Sequence, residues 1–214
     1  MSQVTSGVRS IFSDPRIYDG FQTLMGATRV RTELISEFIR PSAGMRLLDI
    51  GCGTAEILAF LPEGVDYWGF DISARYVAAA QARYGSRAKF HCGLLDAQQV
   101  DALPRFDVVI ALGVLHHLTD SEARGLFELA RRALRAAGRV VTVDPCLAQG
   151  QNPIARFLIQ RDRGQNVRSA EAYRALPGSS FDLVQGQVRH RSWIPYTHWI
   201  MECGTSTSLS TSLA

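Results

Sequence analysis

The middle of the chain alternates between short apolar runs and longer stretches with helical periodicity. Five runs rich in aliphatic and aromatic residues predict strands, at residues 46–50, 67–70, 89–92, 106–112 and 139–143. Such alternation is typical of a parallel sheet with helices on both faces, connected by right-handed crossovers.

Two of the intervening helices carry start and stop signals. Ser73 predicts the cap of an alanine-rich helix that ends at Gly85. Thr119 and Glu122 have the spacing of a capping box, which predicts a second helix that ends at Gly138. These signals place a helix after the second predicted strand and another after the fourth.

The pattern is different at the two ends of the chain. Residues 15–40 predict an N-terminal helix, and residues 152–160 and 169–176 predict two short helices that interrupt the strand rhythm. Residues 181–193 and 196–203 predict two strands of an antiparallel hairpin.

The predicted fold class is therefore α/β, a Rossmann-like sheet of seven mostly parallel strands with an antiparallel C-terminal hairpin. We expect a single domain over residues 1–204, with a helical cap at 1–41 and a helical insertion at 146–180 above the ligand site. Residues 205–214 are of low complexity and are expected to be a flexible tail.

Composition excludes several classes of protein. The 214 residues are 46% hydrophobic and 20% charged, with a net charge of +3, which is ordinary globular composition and too little charge for a nucleic-acid binder. The longest apolar run, residues 108–115, is too short to span a membrane. The four cysteines are far apart, which predicts neither a metal site nor disulfides. The polar N-terminus lacks a signal peptide, so we expect a cytoplasmic protein.

The first strand runs directly into a glycine loop. Gly51 and Gly53 allow a sharp turn and a close approach of the backbone to a ligand, although a plain strand-to-helix turn has the same pattern. Asp71 follows Gly51 at the end of the second strand, where its carboxylate could accept hydrogen bonds from a ribose diol. Its alternative role is at the N-terminus of the helix capped by Ser73.

The charges around the loop bear on the type of nucleotide. The dinucleotide-binding motif has a third glycine at the position where this chain has Glu56. In addition, the carboxylates of Asp49 and Glu56 would repel a pyrophosphate. S-adenosylmethionine has no phosphate and carries a sulfonium and an ammonium group, so acidic residues suit it. The predicted cofactor is S-adenosylmethionine.

Four segments together resemble a known family. LLDIGCGTAEIL, GFDIS, FDVVIALGVLHHLTD and LRAAGRVVTVDP are similar, in this order, to the motifs of small-molecule class I S-adenosylmethionine-dependent methyltransferases of the type 11/12-like branch. The resemblance covers residues 45–145 and implies methyl transfer from S-adenosylmethionine to a small organic acceptor. The residues that the resemblance implies for cofactor binding are Asp49, Gly51, Gly53, Asp71, Ile72 and Ala111. Cys52, Leu94 and Leu95 complete the candidate cofactor-binding residues.

One position departs from the family pattern. The family often has an acidic residue directly after the glycine that ends the third strand, but Gly93 is followed here by Leu94 and Leu95. Either Asp96 reaches back to the adenine, or backbone groups and apolar contacts hold the base.

Two histidines are candidates for acid–base chemistry. His116 and His117 follow the fourth strand, at the edge of the sheet where ligands bind in such folds. A histidine could accept the proton of a hydroxyl, amine or carbon acceptor, whereas a carboxylate or thiolate acceptor needs no base. The alternative for each ring is packing under the following helix.

The acceptor is expected to lie beneath the N-terminal cap and the insertion. Arginines in the insertion could bind an anionic group of a substrate, although the chain also uses arginine freely on its surface. The candidate acceptor-binding residues are Tyr18, Arg163, Arg168 and Tyr196.

Other functions remain open at this point. A non-catalytic sensor could bind the cofactor without turnover, and an enzyme could carry out chemistry other than methyl transfer on S-adenosylmethionine. A nicotinamide dehydrogenase is disfavoured by Glu56. The acceptor, its methylated atom and the oligomeric state are not determined by the sequence.

Overall fold

A computed structural model describes residues 27–160, 166–191 and 196–205 of the chain. The chain divides into two compact units, one that ends at Leu95 and one that begins at Asp96. Within the described residues, the strand pairs of the first unit are parallel, whereas the second unit has both parallel pairs and antiparallel pairs, and its antiparallel pairs involve the last two strands. The predicted α/β class, mostly parallel with an antiparallel C-terminal hairpin, is confirmed.

The first unit contains three parallel strands in the order β3-β2-β1. Its elements are α1 (Ala27–Leu34), a π-helical turn (Ile35–Ile39), β1 (Arg46–Ile50), a 3-10 helix (Glu56–Phe60), β2 (Asp66–Asp71), α2 (Ala74–Tyr84) and β3 (Ala88–Cys92). Leu47, Leu48 and Tyr67 are almost completely buried. The Ser73 side chain caps α2 by accepting a hydrogen bond from the Tyr76 N–H, as predicted.

The glycine loop leads into a shorter helix than the sequence suggests. Only the 3-10 turn Glu56–Phe60 follows it, because Pro62 keeps Leu61 extended and cannot continue a helix. The part of the N-terminal helix predicted before Ala27 lies outside the described residues.

The second unit contains β4, β5, β8 and β7 in that order, with the short β6 paired to β5. Its elements are α3 (Ala97–Ala102), β4 (Phe106–Leu112), a 3-10 turn (Leu115–His117), α4 (Asp120–Ala133), β5 (Leu134–Leu147), α5 (Pro153–Gln160), β6 (Arg168–Ser169), α6 (Ala170–Ala175), a 3-10 turn (Gly178–Ser180), β7 (Leu183–Arg191) and β8 (Tyr196–Gly204). The connection between β7 and β8 lies outside the described residues.

Helix α4 shows how an amphipathic pattern becomes packing. The capping box of Thr119 and Glu122 is present, and the helix buries Leu126 and Phe127. Burying each large apolar side chain contributes roughly 1.5–3 kcal/mol. The Phe127 ring meets the ring of Phe181 edge-on, with centroids 6.3 Å apart.

The predicted end of this helix at Gly138 is wrong. The helix ends at Ala133, and residues from Leu134 onward belong to β5, which pairs with Phe106 and then, after a register shift, with Val108. A side chain at Gly138 would lie 3.0 Å from the Phe106 carbonyl oxygen. Pairing with β4 therefore overrides the helical propensity of this alanine- and arginine-rich segment.

The described residues contain neither a helix suited to span a membrane nor a cluster of side chains suited to hold a metal ion. None of these helices has the length and apolar character needed to cross a membrane. The same residues contain no group of three or more histidine, cysteine and acidic side chains placed to hold a metal ion.

Candidate functional site

The glycine loop is anchored to the end of the neighbouring strand. The N–H groups of Gly51 and Cys52 both donate to the Phe70 carbonyl oxygen, at 2.7 and 3.0 Å. Gly51 and Gly53 have φ angles of 79° and 53°, which glycine adopts without the steric cost that other residues incur. The loop is thus held in a conformation that requires these glycines.

Asp71 connects the loop to the start of α2. Its Oδ2 accepts from the Gly53 N–H at 2.9 Å, and its Oδ1 accepts from the Ser73 N–H at 2.8 Å. Asp71 therefore occupies the helix N-terminal position considered above. Each carboxylate oxygen can accept a further hydrogen bond, so this position does not prevent contact with a ribose.

Asp49 is a buried carboxyl group beneath the loop. Its Oδ2 accepts a hydrogen bond of 2.6 Å from the Tyr67 hydroxyl, whereas its Oδ1 is buried and has no hydrogen-bond partner. Burial raises the pKa of Asp49 to about 7, and the negative charge of Asp71 acts in the same direction. A cation near Oδ1 would satisfy the orphaned atom and favour the ionised form.

The other charge predicted at the loop is neutralised. The Glu56 carboxylate forms an ion pair with Arg83 of α2. The acidic character of this region therefore comes from Asp49 and Asp71, and Glu56 adds little to it.

Cys52 is a packing residue within the loop. Its side chain is buried, and burial raises the pKa of the thiol far above its usual range. A Cβ added at Gly69 of β2 would lie 2.8 Å from the Cys52 Sγ. The loop and β2 thus approach each other so closely that only glycine fits.

The apolar residues predicted to hold the base differ in exposure. Ile72 and Leu94 are 46% and 63% exposed, whereas Leu95 is buried. Asp96 caps α3 by accepting from the Gln99 N–H, and the Gln99 side chain accepts from the Asp96 N–H. One carboxylate oxygen of Asp96 is thus used by this capping box, and both predicted ways of holding the adenine stay predictions.

A second polar cluster lies at the carboxyl ends of β4 and β5. His116 is buried, and both its backbone N–H and its Nδ1 lie within hydrogen-bonding distance of Asp144 Oδ1, at 3.1 and 2.9 Å. Burial raises the pKa of Asp144, and its hydrogen bonds to His116 oppose that shift. The His117 ring is half-buried, with its centroid 4.0 Å from that of His116.

The carboxyl group of Asp144 has a second, unused oxygen. Its Oδ2 is buried without a hydrogen-bond partner, as is the hydroxyl of Tyr173 in α6. Burial raises the pKa of Tyr173 far above its usual range, and the nearby charge of Asp144 adds to this effect. The phenol is therefore neutral and can act as a hydrogen-bond donor.

The glycine loop and the two histidines lie in one segment that is similar to a known protein family. A family model described as a methyltransferase domain matches residues 48–140, which include the glycine loop, Asp71 and both histidines. Residues 48–140 are thus similar to a methyltransferase domain, as the sequence motifs imply.

Curated relatives of the chain agree with that similarity. "O-methyltransferase resE" of Aspergillus sclerotiorum is 31% identical over 147 residues, covering 64% of this chain and 54% of that protein. "Ubiquinone biosynthesis O-methyltransferase" of Azorhizobium caulinodans is 37% identical over 124 residues, covering 52% of this chain and 44% of that protein. The chain thus spans about half the length of the curated relatives it matches.

A solved structure shows the same fold. The apo form of the S-adenosylmethionine-dependent methyltransferase SibL superposes with a TM-score of 0.70, at 16% identity, over 93% of this chain and 59% of that one. The predicted Rossmann-like class is confirmed by this match.

The cofactor of this family, S-adenosylmethionine, fits the residues of the first unit. Asp49 offers an unpaired buried oxygen for a positive charge, and Asp71 offers a fixed carboxylate beside backbone held open by glycines. The methyltransferase cofactor is therefore the one predicted from the sequence.

The structure describes two of the four predicted acceptor residues, and their role in binding an acceptor stays a prediction. Tyr18 and Arg163 lie outside the described residues. Tyr196 is half-buried at the start of β8, with its ring centroid 5.0 Å from that of His198. The guanidinium of Arg168 is hydrogen-bonded to protein oxygens of the turn that carries the histidines.

Sequence reasoning missed two residues of these clusters, Asp144 and Tyr67. Asp144 lies near the end of β5, and its position gave a usable signal, because the neighbouring strand β4 leads into the two histidines. Tyr67 gave no signal, since it looks like an ordinary core aromatic. Ala111 is fully buried in β4, and its predicted backbone contact with the cofactor stays a prediction.

Proposed function

We propose that this chain methylates a hydroxyl oxygen of a small organic molecule, with S-adenosylmethionine as methyl donor and His116 as the base. The observation that carries the proposal is the contact of 2.9 Å between His116 Nδ1 and the buried Asp144. Because the Asp144 carboxylate accepts a hydrogen bond from Nδ1, the neutral imidazole of His116 carries its proton on Nδ1. Nε2 is then the nitrogen that can accept a proton.

The chemistry requires few protein groups. S-adenosylmethionine supplies a methyl carbon already activated by the sulfonium. The acceptor oxygen forms a bond to that carbon as the carbon–sulfur bond breaks, and the hydroxyl proton passes to His116 Nε2. Asp144 stabilises the resulting imidazolium, because its carboxylate is held against Nδ1. S-adenosylhomocysteine leaves as the other product.

Two further considerations favour an oxygen acceptor. A hydroxyl of ordinary pKa needs a base at neutral pH, whereas a carboxylate or thiolate does not. Both curated relatives named above are O-methyltransferases. In this proposal Asp71 binds the ribose hydroxyls, and the exposed side chains of Ile72 and Leu94 contact the adenine. The absence of a nucleic-acid partner and the cytoplasmic location stay predictions.

The test is transfer of an isotopically labelled methyl group to a panel of phenols, catechols, aliphatic alcohols, amines, thiols and carboxylates, read by mass spectrometry. We expect labelled ethers from hydroxyl acceptors. His116→Gln should lower kcat by about 10²–10⁴-fold with unchanged affinity for the cofactor. His190→Gln is the matched control, because His190 lies on β7 and contacts Thr197 at 3.2 Å.

Three results would contradict the proposal. Full turnover in His116→Gln would show that His116 is not the base. Methyl labelling of only nitrogen, sulfur or carboxylate acceptors would show that the acceptor is not a hydroxyl. Cofactor binding without turnover of any acceptor would favour the sensor considered above.

A further inference from the structure

The turn that carries the two histidines is held from outside by a segment of the insertion. The Asn166 N–H donates to the His116 carbonyl oxygen at 3.0 Å. Two residues later, Arg168 of β6 reaches the carbonyl oxygens of Leu115 and Leu118, which flank the histidine pair. Three carbonyl groups of one short turn are thus bound by residues 166–168.

The Arg168 guanidinium donates four hydrogen bonds to protein oxygens and makes one further ion-pair contact. Nη1 donates to Leu115 O at 2.8 Å and to Asn166 O at 2.9 Å, and Nη2 donates to Leu118 O at 2.7 Å. Nε donates to Asp120 Oδ1 at 2.9 Å, and Nη2 lies 2.8 Å from the same oxygen. Planar geometry with five donors is specific to arginine, and lysine cannot reproduce it.

The arginine is the buried partner in this arrangement. Its side chain is 9% exposed, whereas that of Asp120 is 61% exposed. Its guanidinium carbon also lies 5.6 Å from the centroid of the Tyr173 ring. A long, charged side chain confined in this way has little freedom to leave for a substrate anion.

We propose that Arg168 is a positioning residue, which holds the 115–118 turn so that the His116 imidazole stays against Asp144. Asp144 fixes His116 from the end of β5, and Arg168 fixes the backbone of the same residue's turn from the insertion. The inference rests on the proposed role of His116 as base. It also means that a change in the insertion can reach the base through the Arg168 side chain, besides the backbone contact of Asn166.

The experiment compares Arg168→Lys with Arg124→Lys, a control on the exposed side of α4. The first readout is the imidazole N–H signal of His116 in proton–nitrogen NMR, assigned by its loss in His116→Gln, and it requires no acceptor. We expect this proton, which is protected by Asp144, to exchange with water at least about tenfold faster in Arg168→Lys and unchanged in the control.

The second readout is kcat with the hydroxyl acceptor from the panel that is methylated fastest. We expect Arg168→Lys to lower kcat by roughly 10–100-fold, with the KM for the cofactor within about twofold, because small displacements of a base are costly. In the His116→Gln background, the same substitution should have no further effect, because it acts through His116.

The outcomes separate the two proposals. Full activity of His116→Gln alone overturns the proposed base, and the positioning role with it. If His116→Gln is slow, then a normal imidazole signal in Arg168→Lys, or effects that multiply in the double variant, overturns the positioning role alone. Should Arg168→Lys fail to fold, Asp120→Asn removes only the exposed ion pair and should lower kcat by about 2–5-fold. Wild-type kcat and imidazole exchange in Asp120→Asn would then overturn the positioning role.

Discussion

The buried carboxyl group of Asp49 predicts that cofactor affinity depends on pH. Its pKa is raised to about 7 because the group is buried and lies near Asp71, so a large fraction is neutral at physiological pH without ligand. A bound sulfonium or ammonium group favours the ionised form. Binding of S-adenosylmethionine should therefore release a proton from Asp49 and become tighter as pH rises.

The size of the effect follows from the titration. The ionised fraction of a group with a pKa of about 7 rises from roughly one tenth at pH 6 to roughly nine tenths at pH 8. If the cation binds only the ionised form, the dissociation constant falls about tenfold over this range, or about 1.4 kcal/mol. Asp49→Asn removes this titration while keeping the shape of the side chain.

Isothermal titration calorimetry is the assay. Binding measured in buffers with different ionisation enthalpies reports the number of protons released, and the comparison with Asp49→Asn cancels the titration of the cofactor's own amino group. Asp101→Asn is the control, since it removes the same charge from an exposed site. A wild-type pH dependence that persists unchanged in Asp49→Asn would refute the reasoning.

The same pKa also has a consequence for stability. Because the folded chain binds the Asp49 proton more tightly than the unfolded chain does, this group's contribution to the free energy of unfolding falls as pH rises from 3.8 to about 7. The stability of Asp49→Asn relative to wild type should therefore increase across that window and remain constant above it. A pH-independent difference between their unfolding curves in urea would contradict this sign.

Three further substitutions test the first unit and the helix packing. Asp71→Ala should weaken binding of both S-adenosylmethionine and S-adenosylhomocysteine by roughly 1–3 kcal/mol, and equal dissociation constants by calorimetry would remove Asp71 from the site. Gly69→Ala should destabilise the chain by roughly 1–3 kcal/mol and weaken cofactor binding, because its Cβ would press on Cys52; wild-type values for both would show that the loop can yield. Gly125→Ala, in α4 with open space around it, should stabilise by roughly 0.5–1 kcal/mol in thermal unfolding, and a loss of stability would reveal a hidden contact.

Local signals in the sequence predicted much of the fold and part of the site. The caps predicted at Ser73 and Thr119 are confirmed, because a helix cap depends only on residues about three positions apart in the sequence. The strands and the glycine loop were predicted for the same reason, since apolar runs and the backbone freedom of glycine are properties of short segments. The end of α4 was predicted wrongly because pairing of Leu134 with Phe106 depends on a residue far away in the chain.

The electrostatic details came only from tertiary structure. Asp49 and Tyr67 are 18 residues apart, His116 and Asp144 are 28 apart, and Arg168 and Leu115 are 53 apart. Glu56, which looks like part of an acidic site in the sequence, is neutralised by Arg83 across 27 residues.

The sequence by itself determined which side chains this chain has at the ends of its strands, and thereby the type of cofactor. Only the tertiary structure decided which of those groups are buried, which are paired and which oxygens have no partner. The reason is physical: the charge state of a carboxyl group and the direction of an arginine depend on solvent access and on neighbours that chain folding brings together.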